Sequence, residues 1–379
     1  MENKKILFLS GTRADFGKLK SLISISQKSP LFDVSIFVTG MHLQKEYGYT
    51  VNEIEKSGFE NIYTFENHTT ESSMDLTLSK TIEGLSAHVK ENKPDLIVVH
   101  GDRVEALAGA IVGSLNNILV GHIEGGEVSG TIDELIRHSV SKMSHIHFVS
   151  NQQASKRLIQ MGEVDSHIFE IGSPDIDIMF SPNLPTIEKA KNRYEIPFEK
   201  YALFMFHPVT TEAERIEKQT NELIEAVLKD EGNYVVIYPN NDMGSSTIIK
   251  AISRLENNKR FRIFPSLRFE YFLTFLKNCQ FIIGNSSAGI REAPYYQKAS
   301  INLGNRQKNR AKSKSIINCE FNKTEIINAI KHSQNLTDFD SPSDFGQGKS
   351  DQLFYEIIQE KSFWKIPCQK QFKDQKLAD

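Results

Sequence analysis

Cysteine is scarce in this chain, with three residues (Cys279, Cys319 and Cys368) among 379. Thiols this few, scattered and odd in number make neither a disulfide framework nor a zinc cluster. An excess of one charge is also lacking. Lys and Arg number 45 against 48 Asp and Glu, a formal net charge of −3. The chain therefore has no electrostatic reason to seek nucleic acid or an anionic membrane as its main partner. No apolar run approaches the roughly 18–20 residues that span a bilayer. The opening MENKKILFLSGTRAD offers only a short apolar run before Gly11, too short for a secretory signal. Repeats at a fixed period and low-complexity segments are absent, as is metal-ligand spacing. What is there is an average globular composition, 39% hydrophobic and 25% charged. A cytoplasmic enzyme is expected, and at roughly 100–200 residues per domain the length favours two domains.

Short apolar, β-rich runs alternate with amphipathic stretches along most of the chain. Strands are expected at 6–10, 34–38, 96–100, 118–123, 146–149 and 168–171, then at 202–206, 234–238, 262–264, 281–283 and 300–303. Unbroken runs such as Leu96-Ile97-Val98-Val99 suit strands buried on both faces, hence parallel sheets covered by helices. Between them, Ile132, Leu135, Ile136, Val140 and Met143 recur at helical spacing. Repeated β-α-β-α order implies doubly wound α/β sheets. Residues 173–202 carry four prolines and no strand signal, and read as the crossing between two Rossmann-like domains. The expected division is 1–180 and 181–349, with a final helical stretch at about 350–379 packing back on the first domain. In open α/β sheets ligands bind beyond the carboxyl ends of the strands. The expected site is thus the cleft between two facing domains.

The residues able to do chemistry fall at those strand ends. After the first strand comes Gly11-Thr12-Arg13-Ala14-Asp15-Phe16-Gly17-Lys18, a tight turn with two cations at a helix N-terminus and a plausible seat for an anion. It has neither G-x-G-x-x-G nor P-loop spacing, which disfavours a dinucleotide cofactor or ATP. Asp102 and Arg103 follow the strand at 96–100, and Glu124 follows the one at 118–123. Thr131 is the expected N-cap of the next helix, with Glu134 as its capping-box partner. Asp133 and Arg137, four apart, are placed to form a plain ion pair. Capping and surface pairing account for Asp133 and Glu134 singly. They do not account for several carboxylates brought to one sheet edge, where convergence would make Asp102, Glu124 and Asp133 acid/base partners.

The second half repeats the pattern. His207, in His207-Pro208-Val209-Thr210-Thr211, ends one strand, and Asn240 follows the next. Gly284-Asn285-Ser286-Ser287-Ala288-Gly289, running into Arg291-Glu292, offers hydroxyls and backbone N–H groups at a helix start, suited to a diphosphate. Glu292 is placed to accept from a ribose. The last strand ends in Gly304-Asn305-Arg306-Gln307. Arg306 is expected to face phosphate, and Lys308, Lys312 and Lys314 to lie in a solvated loop.

Taken together, TRAD (Thr12–Asp15), HIEGGEVSGTID (His122–Asp133), IRH (Ile136–His138), HPVTT (His207–Thr211), GNSSAGIRE (Gly284–Glu292) and LGNRQ (Leu303–Gln307) resemble the UDP-N-acetylglucosamine 2-epimerase family. The likeness runs through nearly the whole chain and is to the hydrolysing branch. The non-hydrolysing branch typically reads TRPE, GDT and EAGLRT where this chain has TRAD, GDR and Glu124-Gly125-Gly126-Glu127-Val128-Ser129. The resemblance implies a GT-B-like pair of Rossmann-like domains and catalysis by Asp102, Glu124 and Asp133, with His207 beside the diphosphate. It implies nucleotide or sugar contacts from Arg13, Lys18, Arg103, Asn240, Gly284, Ser286, Ser287, Glu292 and Arg306. It further implies a UDP-sugar and water as partners, no cofactor or metal, and a homodimer or homotetramer. The implied reaction forms N-acetylmannosamine for sialic-acid synthesis. Alternatives are the same chemistry on UDP-2,4-diacetamido-2,4,6-trideoxyglucose for legionaminic acid, a glycosyltransferase, or a non-catalytic sugar-nucleotide sensor.

Overall fold

A computed structural model describes residues 3–68, 73–129, 131–307, 313–340 and 345–374. Gly130, Lys308 and Lys312 lie outside the described residues. The chain forms two compact units. The first comprises Met1–Glu127, Asp133–Phe180 and Asp344–Asp379, the second Val128–Ile132 and Ser181–Ser343. The C-terminal segment, expected to pack back from about 350, thus falls in the first unit, and a short stretch at the start of the helix Ile132–Met143 falls in the second.

The first unit holds β1 (Lys4–Ser10), β2 (Phe32–Val38), β3 (Ile62–Thr64), β4 (Leu96–His100), β5 (Leu119–Ile123), β6 (Ile146–Val149) and β7 (Ile168–Glu170). They form one parallel sheet in the order β3-β2-β1-β4-β5-β6-β7. The second unit holds β8 (Ala202–Met205), β9 (Tyr234–Ile237), β10 (Phe261–Phe264), β11 (Phe281–Gly284), β12 (Ala299–Leu303) and β13 (Ile316–Cys319). Its sheet, also parallel, runs β10-β9-β8-β11-β12-β13. Each order reverses once, between β1 and β4 and between β8 and β11, and such switch points are where doubly wound sheets bind ligands.

The central strands fold as their sequences dictate. Ile97, Val98 and Val99 of β4 are fully buried, as an all-apolar strand between two helical layers must be. The two strands without a sequence-based counterpart, β3 and β13, are both edges with a single neighbour and only partial burial. Such short half-exposed runs carry little apolar signal. The helix Ile132–Met143 departs from expectation in its buried face. Leu135 is exposed, and the inward stripe is Ile136, Arg137, Val140 and Ser141. An arginine on the core side of a helix next to a strand edge calls for a partner there.

The C-terminal helix Ser350–Gln359 packs Phe354 and Ile358 into the core formed by β1, β2 and β4. Its first turn is held by Asp177, which accepts from the Ser350 and Asp351 N–H groups at 2.8 Å each. Burial pushes the Asp177 carboxyl up to about 6 in spite of those bonds.

Candidate active site

In the first unit the turn after β1 is built by Asp15, not by its cations. The Thr12 hydroxyl accepts from the Asp15 N–H at 3.2 Å, and the Asp15 carboxylate accepts from the N–H groups of Gly11 and Thr12 at 2.9 Å. This capping box opens the helix Arg13–Gln27 and leaves Arg13 as its first residue. Behind it His42 is fully buried, 2.9 Å from the Ser10 hydroxyl and 2.6 Å from that of Thr50. Burial lowers its pKa to about 4, so the ring is neutral.

Glu124 is the hub of the unit. It takes a left-handed backbone, φ +63°, directly after β5, a conformation that costs a non-glycine residue roughly 1–2 kcal/mol. Gly126 makes the next turn possible. Its φ is +74°, and a Cβ there would lie 2.3 Å from the Ala154 carbonyl oxygen. The Glu124 side chain is 2% exposed and surrounded by donors and cations. The Ser173 hydroxyl donates to Oε1; His100 Nε2 lies 3.1 Å from Oε2, and Lys18 Nζ lies 3.7 Å from it. Lys18 also pairs with the fully buried Asp175 at 3.1 Å. The structure therefore places Lys18 inside the protein between two carboxylates, as a charge partner of Glu124.

Arg137 ties Glu124 to Asp102. Its Nη1 donates to the Glu124 carbonyl at 2.7 Å, and its Nη2 donates to Asp102 Oδ2. This side chain is 2% exposed, and these two contacts go beyond the pair with Asp133 expected from helical spacing. Asp133 sits one turn earlier on the same helix face, four residues away. Under this layer His122 spans the Gly101 carbonyl at 2.8 Å and the Ser141 hydroxyl at 3.0 Å. Burial holds its pKa well below the usual range, which fits a neutral ring with its proton on Nε2. Arg103 turns to Glu105, with Nε 3.3 Å from Oε2. Asp102, Glu124, Asp133, Arg13, Lys18 and Arg103 all belong to the first unit. Sequence reasoning gave no role to His100, Ser173 or Asp175. The signal for the latter two was a polar Ser-Pro-Asp immediately after a strand.

In the second unit Asn285 is the organising residue. It is fully buried; its Oδ1 accepts from the His207 N–H at 2.7 Å, and its Nδ2 donates to the His207 carbonyl at 2.9 Å. Its own carbonyl accepts from Arg306 Nη1 at 3.3 Å and Gln307 Nε2 at 2.9 Å. The Asn240 N–H donates to His207 Nδ1 at 3.1 Å, which leaves the ring proton on Nε2 as a donor. Gly284 is indispensable to this corner: φ is +137°, and a Cβ would fall 1.8 Å from the Met205 carbonyl oxygen. The expected helix start at Ser286–Ser287 is a single 3-10 turn, Ser287–Gly289, capped by the Ser286 hydroxyl. The helix that follows, Glu292–Tyr295, is only four residues, and Pro294 within it is tolerated only in a first turn. Glu292 is buried at its start.

Among the described residues no group of His, Cys, Asp or Glu has the arrangement of a metal site, and no helix is long and apolar enough to cross a membrane. What the geometry supplies is a buried, cation-balanced carboxylate cluster in one unit. The other supplies an array of donors formed by His207, Arg306 and the Ser286–Ser287 turn.

The sequence matches the family described as UDP-N-acetylglucosamine 2-epimerase over residues 25–359. It is 46% identical over 374 residues to the UDP-N-acetylglucosamine 2-epimerase of Neisseria meningitidis serogroup B, covering 98% of this chain and 99% of that one. It is 34% identical to the UDP-N,N'-diacetylbacillosamine 2-epimerase (hydrolyzing) of Legionella pneumophila, covering 94% and 95%. Its fold matches that of Methanocaldococcus jannaschii UDP-GlcNAc 2-epimerase, solved with UDP-GlcNAc and UDP, with a TM-score of 0.81 at 22% identity over 94% of this chain and 99% of that one. With two doubly wound units of this order and likeness along almost its whole length, the chain belongs to the UDP-N-acetylglucosamine 2-epimerase family.

Proposed function

We propose that this protein is a hydrolysing UDP-N-acetylglucosamine 2-epimerase, which converts UDP-N-acetylglucosamine and water to N-acetylmannosamine and UDP for sialic-acid biosynthesis. The observation that carries the reading is the Glu124 cluster, in which an acid/base carboxylate is buried among Lys18, His100 and Ser173 and joined through Arg137 to Asp102. Support for the substrate comes from the Neisseria relative, and support for hydrolysis from the name of the Legionella one. The TRAD, GDR and EGGEVS segments point the same way.

The second unit holds the nucleotide in this scheme. The diphosphate takes hydrogen bonds from His207 Nε2, Arg306 and the Ser286–Ser287 turn, with Arg13 adding charge, and Glu292 accepts from the ribose. The C2–H of the sugar is weakly acidic, so departure of the diphosphate has to carry much of the barrier, and donors aimed at the developing charge supply that. In an α-linked glucose-type chair the axial C2–H is anti to the axial C1–O bond. A carboxylate removes the C2 proton, electrons of that bond form C1=C2, and UDP leaves from C1. Water then adds its oxygen to C1 of the resulting 2-acetamidoglucal while a carboxyl group returns a proton to C2 from the opposite face. Asp102, Glu124 and Asp133 share these transfers.

A second reading, the same chemistry on UDP-2,4-diacetamido-2,4,6-trideoxyglucose, is favoured by the Legionella relative at its lower identity. Incubation with each UDP-sugar in deuterated water, followed by NMR of the products, tests both. Free N-acetylmannosamine deuterated at C2, together with UDP, is the expected outcome. Protium retained at C2 would refute the elimination, and turnover of the diacetamido sugar alone would select the second reading.

A further inference from the structure

We propose that the C-terminal strap, residues 367–373, is a positioning element for the reaction, with Lys370 as the latch that holds the helix carrying Asp133 and Arg137. The catalytic half of this inference rests on the function proposed above; the mechanical half does not.

The helix Ile132–Met143 serves the site with its first two turns, and its last turn lies at the far end. A helix leaves its final carbonyls without intrahelical donors. Here Lys370 Nζ reaches them from the end of the chain, donating to the carbonyls of Ser141 at 3.0 Å, Lys142 at 2.9 Å and Ser144 at 2.6 Å. A cation at this end also complements the helix dipole. The same ammonium sits 2.5 Å from Glu163 Oε2, and Glu163 in turn meets Lys142 and His147 at 2.9 Å each. The hydrogen bond and charge of His147, together with Lys370, hold Glu163 down at about 2 against the upward push of burial.

The strap is anchored on both sides of the latch. His145 accepts the Val120 N–H at Nδ1, so its Nε2 proton is free to donate to the Cys368 carbonyl at 2.9 Å. Beyond the latch, the Lys373 N–H donates to the Gly162 carbonyl at 2.9 Å. Phe372 covers Gly162 so closely that a Cβ there would meet its ring at 2.3 Å. These contacts already dock the segment. Burial pulls the Lys370 amine down to about 8 even though Glu163 raises it, so the latch is made against a desolvation penalty. What it secures is the axial position of the helix whose Arg137 bridges Asp102 and Glu124.

The test is Lys370→Met in the full chain. UDP release is measured with enzyme concentration set by the stoichiometry of UDP binding in calorimetry, and hydrogen exchange is followed along residues 132–144. Expected are a kcat lowered by at least about tenfold with KM and UDP affinity within about threefold. Exchange at the end of the helix should quicken by about tenfold while the second unit is unchanged. Lys370→Arg, which keeps charge and donors, should restore most of both. Unchanged exchange overturns the latch, and faster exchange with unaltered kcat overturns its role in positioning. If the wild-type protein turns over no UDP-sugar, the function reading fails while the exchange result still decides the latch. Should Lys370→Met not fold, Lys370→Gln is judged by the same criteria.

Discussion

Replacing Arg137 by methionine keeps an apolar stem of similar reach and removes the guanidinium. Two groups then lose the guanidinium's hydrogen bonds: the Asp102 carboxylate and the Glu124 carbonyl. Stripping one member from a buried ion pair costs about 3–5 kcal/mol. The Asp102 side chain keeps 24% of its exposure, so water recovers part of that. A loss of about 2–3 kcal/mol in urea unfolding is expected. Turnover should fall further than stability implies, by about 100-fold, because the same side chain sets the register between the two carboxylates proposed to share the proton transfers. Arg137→Lys should recover stability better than turnover, since a point charge cannot span both acceptors as a planar fork does. Asp102→Asn in the Arg137→Met background removes the stranded charge, so the two changes should be non-additive by at least about 1 kcal/mol. A Met variant within about 0.5 kcal/mol of wild type and with ordinary kcat would refute the bridge as the organising contact.

Three further outcomes follow from individual contacts. Asn285→Ala removes both hydrogen bonds that the buried Asn285 side chain makes to the His207 backbone and should cost about 2–3 kcal/mol and weaken UDP binding in calorimetry; unchanged affinity would detach Asn285 from the proposed nucleotide site. Gly284→Ala forces a Cβ onto the Met205 carbonyl and should cost at least about 3 kcal/mol or abolish soluble expression; a normal thermal midpoint would contradict the backbone path described. His42 has a folded pKa of about 4 against 6.5 unfolded, so the unfolded state binds more protons between those values. Stability should be flat above about pH 6.5 and fall by about 3 kcal/mol by pH 4 from this group. His42→Gln should flatten that part of the pH–stability curve; an identical slope in the variant would assign it to another residue.

The candidate residues nameable from the sequence were those a strand end announces. Asp102, Glu124, His207 and Asn240 each follow an apolar run that reads as a buried parallel strand. Asn285, which follows β11 in the same way, was given no role there because its work is done on the backbone of His207, far along the chain. Residues whose roles depend on a partner far along the chain were not legible. Arg137 reads as a surface ion-pair member because helical spacing offers Asp133 nearby, yet its helix turns that side chain inward. Lys18 reads as a cation near a helix start, and its pair with Asp175 at 3.1 Å is invisible at that level. Edge strands β3 and β13 were missed because one exposed face erases the apolar run that marks a central strand. The missed contacts share a physical cause. Charge compensation inside a fold is settled by desolvation, which forces each buried ion to find a counterpart wherever topology brings one. A single sequence shows the ions but not the pairs, so the carboxylates could be named in advance while the cations that keep them in place could not.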